Sequence, residues 1–164
     1  MTSRGEQLEF ARRIALNLLE TRARSEEELR RAMARKDVPE EIAEELLSRL
    51  TAVGLVDDEA FAVALVNTRT KVARRGGSRI RQELREKGVP DDVAAGALAQ
   101  VAPEDELEAA VTFAAKKVRS MSGLDNAVAK RRLYGALARR GFGPDVVRRV
   151  VEDALGSRDE SWDD

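Results

Sequence analysis

The stretch GGSRIRQELREKGVP, residues 76–90, holds one complete helix between two kinds of punctuation. Paired glycines open it, and Ile80 and Leu84 stand four apart on one helical face. Lys87 closes it, and Gly88 can enter the left-handed conformation in which helices commonly stop. Val89 follows, then Pro90, placed where the next helix starts and a missing amide costs nothing. The stretch therefore reads as helix, tight turn, helix.

The same reading recurs twice more. LRRAMARKDVPEEIAEELL from Leu29, IRQELREKGVPDDVAAGAL from Ile80 and LYGALARRGFGPDVVRRVV from Leu133 align without gaps. Each sets apolar residues at i and i+4 (Leu29/Met33, Ile80/Leu84, Leu133/Leu137), then a basic residue (Lys36, Lys87, Arg140), then a break at Asp37, Gly88 or Gly141. Asp is the poorest of the three in the left-handed conformation, yet better than most residues. An apolar residue and a proline follow every time (Val38/Pro39, Val89/Pro90, Phe142/Pro144). Recurrence of turn chemistry as well as apolar spacing separates a true repeat from helices that share only composition.

Each pair is preceded by a longer amphipathic segment. These segments span about residues 8–21, 57–75 and 103–121. Their inward residues are expected to be Ala11, Ile14 and Leu18, then Phe61, Leu65, Thr68 and Val72, then Leu107, Val111, Ala114, Val118 and Met121. The fold expected is all-α, nine helices in three tandem three-helix repeats at 8–53, 54–102 and 103–155, between a disordered 1–7 and a disordered acidic tail, 156–164, that holds Trp162.

Composition agrees. Aromatic residues make up 4% and charged residues 36% of the 164, a helix-former's profile. No cysteine and no histidine are present, which removes disulfides, thiolate sites and the commonest general base and metal ligand. Gly76-Gly77-Ser78 lacks the spacing of a phosphate-binding loop. The dense carboxylate run Asp57-Asp58-Glu59 suits the free amides and dipole of a helix start better than a divalent ion. The chain is expected to be no enzyme, to hold no metal and take no small-molecule substrate, and to be a monomer; it is expected to be cytoplasmic, because its start lacks a signal-peptide core and no stretch could span a membrane.

The formal net charge of −1 hides a strong asymmetry. Between Arg69 and Lys87 stand Arg69, Lys71, Arg74, Arg75, Arg79, Arg81, Arg85 and Lys87, against Glu83 and Glu86 alone. Between Lys116 and Arg149 stand Lys116, Lys117, Arg119, Lys130, Arg131, Arg132, Arg139, Arg140, Arg148 and Arg149, against Asp125 and Asp145. Such stretches suit a phosphate backbone or an acidic protein, and the plainer alternative is a solvated face laced by i,i+4 ion pairs. Sequence-specific readout by a helix-turn-helix is disfavoured, because the second helix opens PEEIAEELL and PDDVAAGAL in the first two repeats, with carboxylates where base-reading donors belong.

Two motifs carry a resemblance to the RecX family of bacterial recombination regulators. GLVDDEAFA, residues 54–62, resembles that family's first signature, and GGSRIRQELREKGV, residues 76–89, resembles its second; the likeness covers about residues 8–155. Lys36-Asp37 departs from the family's frequent Lys-Gly, and the third repeat diverges more. The resemblance implies an elongated, curved helical array that modulates, and mainly inhibits, the RecA recombinase. It would bind RecA and its filament on single-stranded DNA, with direct DNA binding in several members, and act on recombination, repair and the SOS response without a cofactor. Charge and resemblance together place the RecA and filament surface on Arg69, Lys71, Arg74, Arg75, Arg79, Arg81, Arg85, Lys87, Lys116, Lys117, Arg119, Lys130, Arg131 and Arg132. They leave Gly54, Asp57, Asp58, Phe61, Ala62, Gly76, Ile80, Glu83, Leu84, Lys87 and Gly88 as mainly structural signature positions. A general DNA-binding protein and a helical scaffold without nucleic acid remain the other two readings.

Overall fold

The computed structural model describes residues 2–156, so Trp162 and the rest of the acidic segment lie outside them. The described residues form nine helices and no strand: α1 Arg4–Thr21, α2 Glu26–Arg35, α3 Glu40–Ala52, α4 Asp58–Lys71, α5 Gly77–Glu86, α6 Asp91–Ala99, α7 Pro103–Arg119, α8 Asn126–Arg139 and α9 Pro144–Leu155. They are three tandem three-helix repeats. None of these helices is long and apolar enough to cross a membrane.

The chain falls into two compact units, Met1–Ala64 with Leu84–Ala94, and Leu65–Glu83 with Ala95–Asp164. In the first, α1, α2 and α3 enclose Ala11, Ala15, Leu29, Met33, Ile42, Leu46, Leu47 and Leu50. In the second, α7, α8 and α9 enclose Ala109, Ala110, Ala114, Leu133, Leu137, Val147, Val150 and Leu155. Truncating one such leucine costs roughly 2–5 kcal/mol, whereas an exposed ion pair is worth roughly 0–1. The apolar stripes therefore decide the fold, and the many surface pairs, such as Arg30 with Glu26, Glu27 and Glu44, refine it.

The turns behave as their chemistry dictates. Asp37, Gly88 and Gly141 all take positive φ, at 61°, 74° and 100°, each immediately after the basic residue of its repeat. A close register then links the start of one repeat's second helix to the basic turn of the next. In the first unit, the buried Ser25, N-cap of α2, donates its hydroxyl to the Lys87 carbonyl at 2.6 Å. In the second, the Gly76 amide donates to the Arg140 carbonyl at 3.0 Å, and the Ser78 amide to the Gly141 carbonyl at 3.2 Å. Ser25 and Gly76 occupy the same place in their repeats, as do Lys87 and Arg140. A Cβ at Gly88 would lie 2.3 Å from the side chain of Glu27, and one at Gly141 would lie 2.5 Å from the backbone nitrogen of Arg79. Glycine permits both the backbone conformation and the approach.

Three expectations need correction. Residues 4–7 are helical rather than part of a disordered terminus, because Ser3 accepts the Glu6 amide at 3.1 Å and Arg4 pairs with Glu41 and Glu45 of α3. In α4 the buried face is Phe61/Ala62, Val66 and Thr70, while Val72 is 77% exposed and Thr68 is exposed. The Val72 amide still bonds the Thr68 carbonyl at 3.0 Å, so Val72 stands one turn from Thr68 on the same exposed side, away from the buried Ala62, Val66 and Thr70 stripe. In α7, Val111 is 47% exposed and the fully buried residues are the alanines. Alanine fills the closest helix contacts, and spacing arguments that favour large residues miss it.

Glu28 completes a capping box with Ser25 and bonds Arg22, with Lys87 3.8 Å away. Burial opposes its charge, but Arg22, the Ser25 amide and Lys87 outweigh it and hold the carboxyl below its ordinary value. A carboxyl depressed in the folded state contributes stability above its unfolded pKa, and that stability is lost as pH falls through the folded one. Glu28→Gln should therefore lower unfolding free energy by about 1 kcal/mol at pH 7, with the difference shrinking in urea titrations as pH falls from the ordinary carboxylate range through the depressed folded value. Asp37→Gly should stabilise by about 1 kcal/mol, since it removes a left-handed non-glycine residue. Gly141→Ala should cost at least about 2 kcal/mol, read by the same titrations.

Candidate functional site

Cations collect at helix C-termini, where exposed carbonyls favour positive charge. Arg69 and Lys71 close α4, Lys116, Lys117 and Arg119 close α7, and Arg139 closes α8 with Arg140 as its C-cap. In the second unit three of these regions converge. After α4 the chain bends through Arg74, whose φ is +54°, and the Arg75 amide closes the bend on the Arg69 carbonyl at 2.8 Å. Left-handed backbone costs a non-glycine residue roughly 1–2 kcal/mol.

Arg140 holds that bend. Its Nε donates to the Arg74 carbonyl at 3.1 Å and its Nη2 to the Ala73 carbonyl, while its own carbonyl receives the Gly76 amide. The guanidinium lies over the Phe113 ring, 4.9 Å from its centroid. Burial, and then the charge of Arg75, push Arg140 below the ordinary guanidinium value. An arginine loses no charge at neutral pH by such a shift, so Arg140 stays a full positive charge that is partly buried.

Two adjoining grooves open on this structure. One, of about 530 Å3, is lined by Val72, Ala73, Arg74, Thr112, Phe113, Lys116, Lys117, Ser120 and Arg140. The other, of about 350 Å3, is lined by Arg75, Arg79, Phe113, Lys117, Ala136, Arg139 and Arg140. Together they gather seven cations, Arg74, Arg75, Arg79, Lys116, Lys117, Arg139 and Arg140, with no carboxylate among their lining residues. Such walls concentrate positive potential and attract polyanions. They offer no nucleophile paired with a base, and among the described residues no three carboxylates gather to hold a metal. Asp57 accepts the Ala60 amide at 3.1 Å, and Asp58 accepts the Glu26 amide at 2.9 Å, so both are occupied with helix starts.

Of the residues expected to bind, Arg74, Arg75, Arg79, Lys116 and Lys117 are brought together. Others are not. Arg69 is bidentate on Glu83, with Nε 2.8 Å from Oε2 and Nη2 2.7 Å from Oε1, and the same carboxylate holds Arg75 at 3.1 Å; Glu83 raises the pKa of Arg69. Arg85 stands 3.5 Å from Asp91, and Lys87 3.8 Å from Glu28. Few cations of the 69–87 cluster have an acid at i,i+4 spacing, and the structure supplies carboxylates to it from other separations. Its partners lie six, eight, 14 and 59 positions away, outside the i,i+4 spacing that sequence inspection covers. Lys71, Arg81, Arg119, Arg131 and Arg132 are exposed but line neither groove, and Lys130 also lies outside both.

The other signature positions serve the fold. Gly54 takes φ +79°, Phe61, Ala62, Ile80 and Leu84 are buried, and Gly76 passes so close to the 141–142 backbone that a Cβ would lie 2.3 Å from it. Sequence inspection missed Arg139, Arg140 and Phe113 as site residues. Arg140 carried a signal, since it occupies the basic turn position of its repeat. Phe113 carried none, because it falls off the α7 stripe.

Comparison with known proteins agrees with this architecture. Family models described as the first, second and third three-helix domains of RecX match residues 11–50, 57–98 and 104–151. The chain is 41% identical over 156 residues to the Regulatory protein RecX of Streptomyces coelicolor, covering 93% of this chain and 81% of that one. It is 39% identical over 150 residues to the Regulatory protein RecX of Amycolatopsis mediterranei, covering 92% and 86%. The crystal structure of RecX from Lactobacillus salivarius superposes with a TM-score of 0.83 at 23% identity, covering 92% of this chain and 97% of the other.

Arg74→Gly separates charge from strain. Removing a left-handed arginine should leave stability unchanged or raise it by up to about 1 kcal/mol. The same variant should leave a heparin column at lower salt than the parent, and thermal unfolding checks that its midpoint does not fall.

Proposed function

The chain belongs to the RecX family, and on that premise we propose that it restrains the RecA recombinase by binding RecA and its filament on single-stranded DNA, lowering ATP hydrolysis, strand exchange and co-protease activity during recombination, repair and the SOS response. It would do so as a cytoplasmic monomer, by binding alone, with no catalytic step, metal or cofactor. One observation carries the reading: the seven-cation groove of the second unit, free of carboxylates along its walls. A surface of that kind releases counterions when it meets a phosphate backbone, so its affinity falls steeply with salt. It does not read sequence, which suits a ligand whose DNA is of any sequence.

The fold supports the same reading. The Arg140 guanidinium is held by hydrogen bonds to the Ala73 and Arg74 carbonyls, so part of the ordering cost of that cationic side chain is met before binding. Lys116 and Lys117 stay exposed and adaptable. The groove taken alone would also suit a general DNA-binding protein. Capture from lysate under nuclease separates the two, because only a RecA partner survives loss of DNA.

The decisive measurement is RecA ATPase on single-stranded DNA with this protein titrated in. Arg74→Glu, Lys116→Glu and Lys117→Glu combined should raise the concentration for half-inhibition at least about tenfold, roughly 1.4 kcal/mol, with helical circular dichroism unchanged. Inhibition at the parental concentration would overturn the assignment of the groove. Half-inhibition at a small fraction of RecA would point to filament ends, and at a fixed near-stoichiometric ratio to the length of the filament.

A further inference from the structure

The first unit holds a counterpart of the second unit's grooves. A cleft of about 500 Å3 lies between α1 and α2, with Phe10, Ile14, Leu18 and Ala32 as its apolar lining and Arg13, Arg35 and Lys36 beside them. On the repeat's first helix, Phe10, Arg13, Ile14 and Asn17 answer at the same spacing to Phe113, Lys116, Lys117 and Ser120. On its second, Ala32, Arg35 and Lys36 answer to Ala136, Arg139 and Arg140. An alanine between the two helices recesses the surface in both places.

The two sites differ in what fills them. In the second unit a chain segment lies against Arg140, whose guanidinium bonds the Ala73 and Arg74 carbonyls and whose own carbonyl receives the Gly76 amide. Lys87 likewise receives Ser25. Among the described residues nothing does this for Lys36, whose carbonyl accepts no bond. Phe10 stays 43% exposed, whereas Phe113 is half-buried beneath Arg140. The cleft is thus a repeat joint without its incoming segment. We infer that it docks a short acidic segment of a partner protein, which seats a large apolar side chain on Phe10, Ile14 and Ala32 and sets carboxylates against Arg13, Arg35 and Lys36.

Charge decides for an acidic occupant. Carboxylates are plentiful in the first unit, and Arg4, Arg22, Arg30, Arg31 and Arg49 each hold one within 4.0 Å. The side chains of Arg13, Arg35 and Lys36 are exposed and, among the described residues, make neither an ion pair nor a hydrogen bond. No carboxylate lines the cleft. The dipole of α2 accounts for cations at its end, but Arg13 sits inside α1, where no such preference applies. The apolar lining favours a peptide over nucleic acid, since Ile14 stands where the second-unit groove has Lys117. A second copy of the chain does not fit. Ala129, buried within α8, stands where Ser25 and Gly76 open their joints, so the third repeat presents no helix start for another chain's first repeat to receive.

The inference does not rest on the RecA reading, and its test needs no RecA. Random linear peptides displayed on phage would be selected on the full chain carrying Lys116→Glu and Lys117→Glu, which silences the second-unit groove. Enriched peptides should be acidic and hold at least one large apolar residue, and their synthetic forms should bind less tightly as salt rises. Affinity should fall at least about tenfold for Arg13→Glu with Arg35→Glu, and again for Phe10→Ala. All three residues are exposed, so helical circular dichroism should not change. No enrichment, enrichment of basic peptides, or equal binding by these variants would overturn the docking. Fluorescent oligo(dT) should bind Arg13→Glu with Arg35→Glu within about twofold of the parent chain. A tenfold loss there would make the cleft a nucleic-acid site and overturn the peptide assignment.

Discussion

The structure depends on a hydrogen bond that each unit makes once: the start of a repeat's second helix, Ser25 or Gly76, donates to the carbonyl of the basic residue that ends the corresponding helix one repeat later, Lys87 or Arg140. The donor differs, a hydroxyl in one case and an amide in the other, but the acceptor and its place do not. A last-turn carbonyl has no partner within its helix, and a first-turn donor has none within its own. Joining them satisfies two orphan groups at once and fixes how far one element is displaced along the other. Apolar burial supplies far more energy than these bonds, but burial is tolerant of sliding, and a directed bond beside a glycine is not.

The basic groove follows from the same contact. Arg140 can hold the 73–74 carbonyls only because its backbone is already fixed against Gly76, and the bend at Arg74 can close only where Gly76 and Gly141 let two backbones pass without Cβ atoms between them. Charge arrives there for a separate reason. Lysine and arginine are favoured at the ends of α7 and α8 by the helix dipole, and the fold sets those ends beside one another. Local preferences thus place the cations, while the joint decides which of them meet.

Much of the fold was legible in the sequence. Recurring turn chemistry at Asp37, Gly88 and Gly141 marked three copies of one unit, and i, i+4 spacing marked their helices. What escaped was rotational detail: the spacing placed Val72 and Val111 inward, where the structure buries Thr70 and the alanines Ala109 and Ala110. A small residue at a close helix contact leaves no signal in a search for large ones. The site was less legible. Five of its seven cations were expected from charge density, but the pairing of Arg69, Arg85 and Lys87 with carboxylates depends on contacts across the fold that a linear reading cannot weigh.

Arg140 does two jobs with two different parts of itself. Its carbonyl completes the joint, which any residue could do, and its guanidinium caps the bend beside Phe113, which only a planar, five-donor group can do. An alanine scan would record a single loss there and assign it wholly to binding or wholly to folding. Sequence drift faces the same coupling: lysine would keep the charge but lose the fork, so a lineage that abandons arginine must rebuild the bend before it can refine the groove. The position is therefore a bottleneck for the evolution of this surface, and variation in binding strength should accumulate at Lys116, Lys117 and Arg79, whose backbones carry no comparable duty for their side chains.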